Sequence, residues 1–256
     1  MTDAEVMVPP ARDVMVKGVA EQLAPIVRLH AELAGRWRIG LDVDRARARL
    51  LAGQVAYDPM EAIASAGNLL VPYIRATAAL ELAGLASAAE ATEARERRFR
   101  LLPLIAGWLA GEPPPRERAR HTAFRAAALI ASSVLRHTSA EVKRGVALDG
   151  WLRADCPCCG GHPDFAVREA GTRRLICARC DAAWPTRATG CIGCGASTAP
   201  AICHVASAAI GYELVICNAC GRYLKEPLGR STIDPIVERA ITAQLDAAAE
   251  SRGLRI

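Results

Sequence analysis

The sequence predicts an α+β protein in which a helical N-terminal domain is followed by two tandem four-cysteine modules of the zinc-ribbon type and a C-terminal helix. The helical domain is predicted because residues 1–150 are rich in alanine and place apolar residues at helical spacing. The modules are predicted because all ten cysteines fall within one 65-residue window, Cys156 to Cys220, beside short apolar or β-branched runs. The predicted domains are residues 1–150 (helical), 151–189 (first module) and 190–256 (second module with the final helix).

Apolar periodicity in the N-terminal domain predicts helices over residues 14–34, 58–82, 93–109 and 116–136. Asp58 followed by Pro59 is typical of an N-cap and the first residue of a helix. Pro72 is expected to kink or divide the second helix, because proline lacks a backbone N–H group and clashes with the preceding turn. Since alanine allows helices to approach closely, these helices are expected to form a bundle.

The chain changes character after the bridge formed by residues 146–155. Strands are predicted over residues 165–167, 174–176 and 212–216, where branched and apolar residues flank the cysteines. Asp234 and Pro235 repeat the N-cap-and-proline pattern and predict a final helix. That helix carries Val237 and Ile241 on its apolar side.

Eight of the ten cysteines form four Cys-x-x-Cys pairs. Each pair places two sulfur atoms on one side of a tight turn, a knuckle, and two knuckles together supply a tetrahedral four-sulfur site. Gaps of 17 and 22 residues follow the first and third knuckles, and each gap can hold a β-hairpin that returns the next knuckle. The predicted metal ligands are Cys156, Cys159, Cys177, Cys180, Cys191, Cys194, Cys217 and Cys220.

The residues around the knuckles support this prediction. Pro157 presets the first turn, and the trailing glycines Gly160, Gly195 and Gly221 can adopt the positive φ that turns backbone N–H groups towards sulfur. Knuckles of this form occur in zinc ribbons and rubredoxins, so each rubredoxin-like module is predicted to bind one metal ion, iron or zinc. Sequential pairing is favoured because only ten residues link the second and third knuckles, although a cross-braced pairing stays open.

Other uses of the cysteines fit the sequence less well. A disulfide framework requires an oxidising compartment, and a thioredoxin-type centre requires one Cys-x-x-Cys within a βαβ unit. Cys158 lies inside the first knuckle and is either a substitute ligand or a reactive thiol. Cys203 is expected to be a buried structural cysteine. The five histidines show no paired ligand spacing and are treated as ordinary residues.

Charge and hydropathy exclude several classes of protein. With 52% hydrophobic and 23% charged residues, the chain is globular rather than disordered. The net charge of +5 divides into +3 (20 basic against 17 acidic residues) up to residue 150 and +2 (12 against 10) beyond it. This small, evenly spread excess disfavours a nucleic-acid partner, and eight thiolates with two divalent ions would turn the second part negative.

Targeting signals and catalytic motifs are not found in the sequence. The first 18 residues have neither the apolar core of a signal peptide nor a twin arginine. The longest uncharged stretch, residues 188–212, contains cysteine, proline and glycine residues that are incompatible with a spanning helix. A cytoplasmic protein without membrane insertion is therefore expected. Since there is no nucleophile–base motif or phosphate-binding glycine loop, no catalytic or organic-cofactor residues are predicted.

The cysteine-rich part of the sequence resembles the formate dehydrogenase accessory protein (FdhE) family over about 70 residues. The order and spacing of the four pairs, a tryptophan before the third pair and a Tyr-Leu-Lys run after the last pair carry the resemblance. The matching blocks are Cys156-Pro157-x-Cys159-Gly160, Cys177/Cys180 with Trp184, Cys191/Cys194, and Cys217-x-x-Cys220-Gly221-x-Tyr223-Leu224-Lys225.

This resemblance implies a non-enzymatic assembly or maturation factor for a respiratory formate dehydrogenase. Its expected partner is the catalytic subunit before export, and iron in the modules is implied, with zinc chemically plausible. The sequence offers Tyr223, Leu224, Lys225 and Trp184 either as partner contacts or as packing residues. A rubredoxin-like redox protein acting on iron or client thiols is the alternative function, and a zinc-ribbon nucleic-acid binder is a more distant one.

Overall fold

Seven helices precede a six-stranded sheet and an eighth helix in the part of the chain that the computed structural model describes, residues 10–97, 99–169, 171–188, 190–198, 200–229 and 231–256. The helices are α1 (Pro10–Arg36), α2 (Val43–Leu51), α3 (Pro59–Ser65), α4 (Leu70–Leu82), α5 (Ala88–Glu96), α6 (Leu101–Ala110), α7 (Arg118–Gly145) and α8 (Pro235–Glu250). The strands are β1 (Pro163–Glu169), β2 (Thr172–Cys177), β3 (Ala183–Thr186), β4 (Ile202–Ser207), β5 (Tyr212–Cys217) and β6 (Tyr223–Pro227).

The chain divides into two compact units. One unit is Gln22–Val146, which is helical. The other joins the described residues up to Glu21 with Ala147–Ile256 and contains the whole sheet and α8. This arrangement is the α+β fold that the sequence predicts. No helix in the described part of the chain has the length and apolar character needed to cross a membrane.

Helix α7 forms the centre of the helical unit and packs against α2, α3, α4, α5 and α6. Its buried face consists mainly of small residues, so the neighbouring helices approach its backbone closely. Its fully buried side chains are Ala123, Ala126, Ala127, Ile130, Ala131, Ser133, Val134, Leu135 and Val142. The predicted bundle is therefore built around one alanine-rich helix, which extends nine residues past the predicted end at residue 136.

The predicted helix over residues 58–82 is two helices, α3 and α4. Asp58 caps α3 by accepting a hydrogen bond from the Glu61 N–H group at 2.9 Å. Gly67 then adopts a φ of 79°, which ends the helical path, and α4 begins at Leu70. The break lies before Pro72 because proline is tolerated within the first turn of a helix, where N–H groups have no partner within the helix.

The prediction of a single helix over residues 93–109 is also wrong, because this segment belongs to two helices. Helix α5 begins earlier, where Ser87 and Glu90 form a reciprocal capping box. A separate helix, α6, begins at Leu101 and ends at Gly111, which has the left-handed conformation typical of a helix C-terminus. Helix α2 was not predicted, although Asp42 caps its start through the Arg45 N–H group.

The sheet has the strand order β3-β2-β1-β6-β5-β4. Each module contributes an antiparallel group of three strands, and the two groups join where β1 and β6 pair in parallel with Phe165 opposite Lys225. The strands predicted over residues 165–167, 174–176 and 212–216 lie within β1, β2 and β5 and are confirmed. The short strands β3 and β6 follow the second and fourth knuckles and were not predicted.

Helix α8 is held to the sheet by apolar contacts and by buried charges. Leu214, Ile216 and Tyr223 form a cluster with Ala249 and the partly buried Leu245. Charged contacts join the same elements: Lys225 Nζ lies 2.7 Å from an Asp246 carboxylate oxygen, and Arg239 Nε lies 2.7 Å from an Asp164 carboxylate oxygen. Arg239 also donates to Asp181 at 2.8 Å and to the Cys177 carbonyl at 3.0 Å.

We expect the Arg239→Met variant to lose about 3–5 kcal/mol of unfolding free energy, because removing one partner leaves the buried Asp164 carboxylate without its cation. Burial already raises the pKa of Asp164, and the charge of Arg239 opposes that rise. Denaturant unfolding followed by circular dichroism measures the difference. Arg252→Met, at an exposed arginine just beyond α8, is the control, and equal stabilities of the two variants would contradict the assignment.

Candidate metal centres

The first cluster of sulfur atoms lies where the knuckle before β1 meets the knuckle after β2. Cys156 and Cys180 sulfurs are 3.6 Å apart, and the Cys159 sulfur is 3.5 Å from those of both Cys177 and Cys180. All four atoms lie within 4.8 Å of one another. A regular tetrahedron with metal–sulfur bonds of about 2.3 Å has sulfur–sulfur edges of about 3.8 Å, close to the observed spacing.

The second cluster repeats this geometry between the knuckle before β4 and the knuckle after β5. The Cys191 and Cys220 sulfurs are 3.5 Å apart, and so are those of Cys194 and Cys217. The eight sulfurs are therefore grouped in sequential order and not in a cross-brace. Because a disulfide bond is about 2.05 Å long, these distances also exclude a disulfide framework, and all ten cysteines are free.

A residue of positive φ follows each knuckle and closes its turn. These residues are Gly160 (71°), Asp181 (54°), Gly195 (77°) and Gly221 (70°). The three glycines adopt the conformation that the sequence predicts. Asp181 was missed because an aspartate carries no such signal, yet its carboxylate accepts a hydrogen bond from Arg239, which holds it in place. Aspartate tolerates the left-handed region better than most residues, so the turn survives without glycine.

Backbone groups in the knuckles point at sulfur. The Arg179 N–H group donates to Cys177 Sγ at 3.4 Å, and the Gly193 N–H group donates to Cys191 Sγ at 3.3 Å. Such bonds favour the thiolate form, which is the form that binds metal. The turns therefore prepare the sulfurs for a cation before any is bound.

Three thiols of the first cluster differ in the direction of their pKa shifts. Hydrogen bonds from Cys156, Cys177 and Cys180 hold the pKa of Cys159 well below its usual range, whereas burial raises the pKa of Cys156 and of Cys180 well above it. The thiolate form is therefore favoured at Cys159 over Cys156 and Cys180. A divalent cation would stabilise four thiolates at once, so the donor set fits iron or zinc, and each cluster can hold one ion.

Exposure distinguishes the two clusters. Every cysteine of the first cluster is at most 3% exposed. In the second cluster Cys191 and Cys217 are buried, but Cys220 is half-buried and Cys194 is exposed. The two sites therefore share one geometry and differ in their access to solvent.

The two remaining cysteines lie outside both clusters. Cys158 is fully buried within the first knuckle. The expectation that Cys203 is buried is wrong, because β4 is an edge strand and Cys203 is exposed on it. No histidine of the described chain belongs to either cluster; His204, for example, lies 3.2 Å from a Glu213 carboxylate oxygen.

The residues offered by the sequence as partner contacts are core residues. Trp184 is fully buried, and its indole N–H group donates to the Arg153 carbonyl at 3.3 Å. Lys225 is 1% exposed and pairs with Asp246, which also accepts a hydrogen bond from the Tyr223 hydroxyl at 2.8 Å. Contacts with α8 therefore replace the partner contact that the sequence allowed at Tyr223 and Lys225, and core packing replaces it at Trp184.

Comparison with known proteins identifies the fold. Neither the family models nor the curated proteins contain a match to this chain. Among solved structures, the crystal structure of the FdhE protein from Pseudomonas aeruginosa matches with a TM-score of 0.65 at 19% sequence identity. The match covers 96% of this chain and 91% of that protein. The chain has the FdhE fold. The fold expected from the sequence resemblance is confirmed over the helical part as well as the cysteine-rich part.

We expect Cys177→Ser to yield insoluble protein that lacks one metal ion. Binding at a structural four-cysteine site supplies folding energy on the scale of ~10 kcal/mol, and one missing thiolate forfeits much of it. Elemental analysis and the soluble yield test this expectation. Cys203→Ser, at an exposed cysteine outside both clusters, is the matched control. Soluble Cys177→Ser protein with unchanged metal content would show that this residue is not a ligand.

Proposed function

We propose that this protein is a cytoplasmic, metal-binding accessory protein required for the maturation of a respiratory formate dehydrogenase. The supporting observation is its likeness to the FdhE structure over 96% of the chain, helical unit included. A small zinc ribbon or a rubredoxin does not require 125 residues of helical unit (Gln22–Val146). An assembly factor, in contrast, uses such a surface to hold a large client.

In this proposal each cluster binds one ion, iron or zinc, through four thiolates. The ligands are Cys156, Cys159, Cys177 and Cys180 in the first site and Cys191, Cys194, Cys217 and Cys220 in the second. Such an ion supplies folding energy, and iron would add one-electron chemistry. The knuckles contribute the N–H groups that stabilise the thiolates, and the residues of positive φ hold the knuckles closed.

The proposed partner is the catalytic subunit of the dehydrogenase before its export. Strand β4 is the element that we propose to contact it, because β4 lies at one edge of the sheet and leaves backbone groups without a neighbouring strand. Residues 203–206 of this strand are exposed on both faces, and Val205 is 43% exposed. An extended segment of a client can pair with such an edge through main-chain hydrogen bonds.

We expect Val205→Lys to weaken capture of the catalytic subunit, on the order of tenfold, because a charge in the middle of the edge disfavours strand pairing. Co-purification from cells that express both proteins measures capture, and the metal content of each variant is checked first. Val14→Lys, at an exposed valine on α1, is the matched control. A second variant, Arg187→Glu, tests whether the exposed arginine just beyond β3 also contacts the subunit. If wild-type protein with both ions captures no subunit and deleting its gene leaves formate oxidation intact, the proposed function is wrong.

A redox function is the second candidate, and the exposed Cys194 favours it. Electron transfer to and from a four-sulfur iron site requires a ligand near the surface, and the second cluster offers one. Protein purified without oxygen should then show a ferric thiolate colour that bleaches reversibly on reduction. A colourless zinc protein would rule out this candidate and leave the accessory role.

A further inference from the structure

The two modules repeat one plan. In each, a knuckle leads into a hairpin, a second knuckle ends the hairpin, and a short strand follows, so β1, β2 and β3 correspond to β4, β5 and β6. The turn hydrogen bonds repeat as well: the Cys156 N–H group donates to the Gly161 carbonyl at 2.8 Å, and the Cys191 N–H group donates to the Ala196 carbonyl at 2.7 Å. The difference in exposure between the clusters thus arises within equivalent local structures.

The order of the strands explains this difference. The first knuckle leads into β1, which lies between β2 and β6 in the interior of the sheet. The third knuckle leads into β4, which has a strand on one side only. Because the two modules join through β1 and β6, the first strand of the first module is buried between neighbours and the first strand of the second module lies at the edge of the sheet. Cys194, at the end of the third knuckle, is exposed for this reason.

The knuckles differ in how far other parts of the chain cover them. Arg239 of α8 donates to the Cys177 carbonyl at the second knuckle. At the fourth knuckle the Arg255 N–H group donates to the Gly221 carbonyl at 2.8 Å, while Asn218 and Ala219 are exposed. The cysteines of the first knuckle are buried. The third knuckle, by contrast, is exposed at Gly193, Cys194 and Gly195.

The third knuckle also has a cation and a small cavity beside it. A side chain at Gly193 would place its Cβ 2.6 Å from Arg222 Cδ, so this arginine packs directly on the turn. A cavity of about 20 Å³, room for one water molecule, is lined by Cys191, Cys217 and Arg222 among others. Two residues of the second cluster, Cys191 and Cys217, therefore border this space together with Arg222, whose positive charge attracts anionic ligands such as thiolates.

We propose that the second cluster is the exchangeable metal site of this protein and that Cys194 is the ligand at which it opens to small thiols. The entering thiol gives its proton to solvent and takes the place of Cys194, whose thiolate leaves and accepts a proton. No electron is transferred. The first cluster keeps its ion and is purely structural. This inference rests on the proposed binding of one ion per cluster.

Metal release from the zinc-loaded full-length protein tests the proposal. With a zinc-binding dye in excess, we expect one equivalent to leave in a fast phase that dithiothreitol accelerates. The second equivalent should leave at least about tenfold more slowly, because a buried site must await local unfolding. The Cys194→Ser variant should retain one slowly released ion. Release of both equivalents at one rate would overturn the proposal while leaving metal binding intact.

Alkylation of the same wild-type protein with iodoacetamide, read by mass spectrometry, gives a test that requires no variant. Cys203 is exposed and outside both clusters, so it reports unhindered labelling, and the buried Cys158 reports full protection. We expect Cys194 to be labelled next after Cys203 and Cys156 only on unfolding. Labelling of Cys156 as fast as Cys194 would overturn the proposal. Protein that binds neither zinc nor iron would overturn the binding of one ion per cluster on which this inference rests, whereas the capture experiment tests the accessory role separately.

Discussion

The closure of each hairpin by four sulfurs is the constraint on which the sheet unit depends. The strands are only four to seven residues long, so each hairpin has few ladder hydrogen bonds to hold its two ends together. Bringing four thiols within 4.8 Å of one another has a high cost in desolvation unless a cation neutralises them. The same geometry that could hold an ion therefore also brings together the two ends of each hairpin.

Buried ion pairs extend this constraint to α8. Arg239 bridges Asp164 of β1 and Asp181 of the second knuckle, and Lys225 of β6 pairs with Asp246. Charged pairs in a low-dielectric interior tolerate few alternative positions, because any other arrangement leaves a charge unpaired. Ion pairs thus fix the position of α8 beside the first cluster. The Arg239 guanidinium also holds Asp181 in its positive-φ conformation at the end of the second knuckle.

Local signals in the sequence predicted what local physics determines. The four knuckles, three of their closing glycines and the caps at Asp58 and Asp234 all follow from short-range rules, and each is present. The failures involve long-range contacts. Cys203 is exposed because β1 pairs with β6 and leaves β4 at the edge, and the burial of Lys225 depends on an aspartate 21 residues further along. The prediction of one helix over residues 93–109 is wrong because it followed apolar periodicity alone, whereas the capping box at Ser87 starts a separate, earlier helix.

The repeated plan of the two modules explains why two four-cysteine clusters of the same geometry differ in their exposure to solvent. The modules join head to tail, with the first strand of one beside the third strand of the other, so only one of the two first strands lies in the interior of the sheet. The parallel pairing of β1 with β6 places the first strand of the first module in the interior of the sheet. It leaves β4, the first strand of the second module, at an edge. Helix α8 contacts both modules: Arg239 binds Asp164 and Asp181 of the first, and Asp246 pairs with Lys225 of the second. Unequal access is thus a geometric consequence of joining two copies of one ribbon head to tail through β1 and β6.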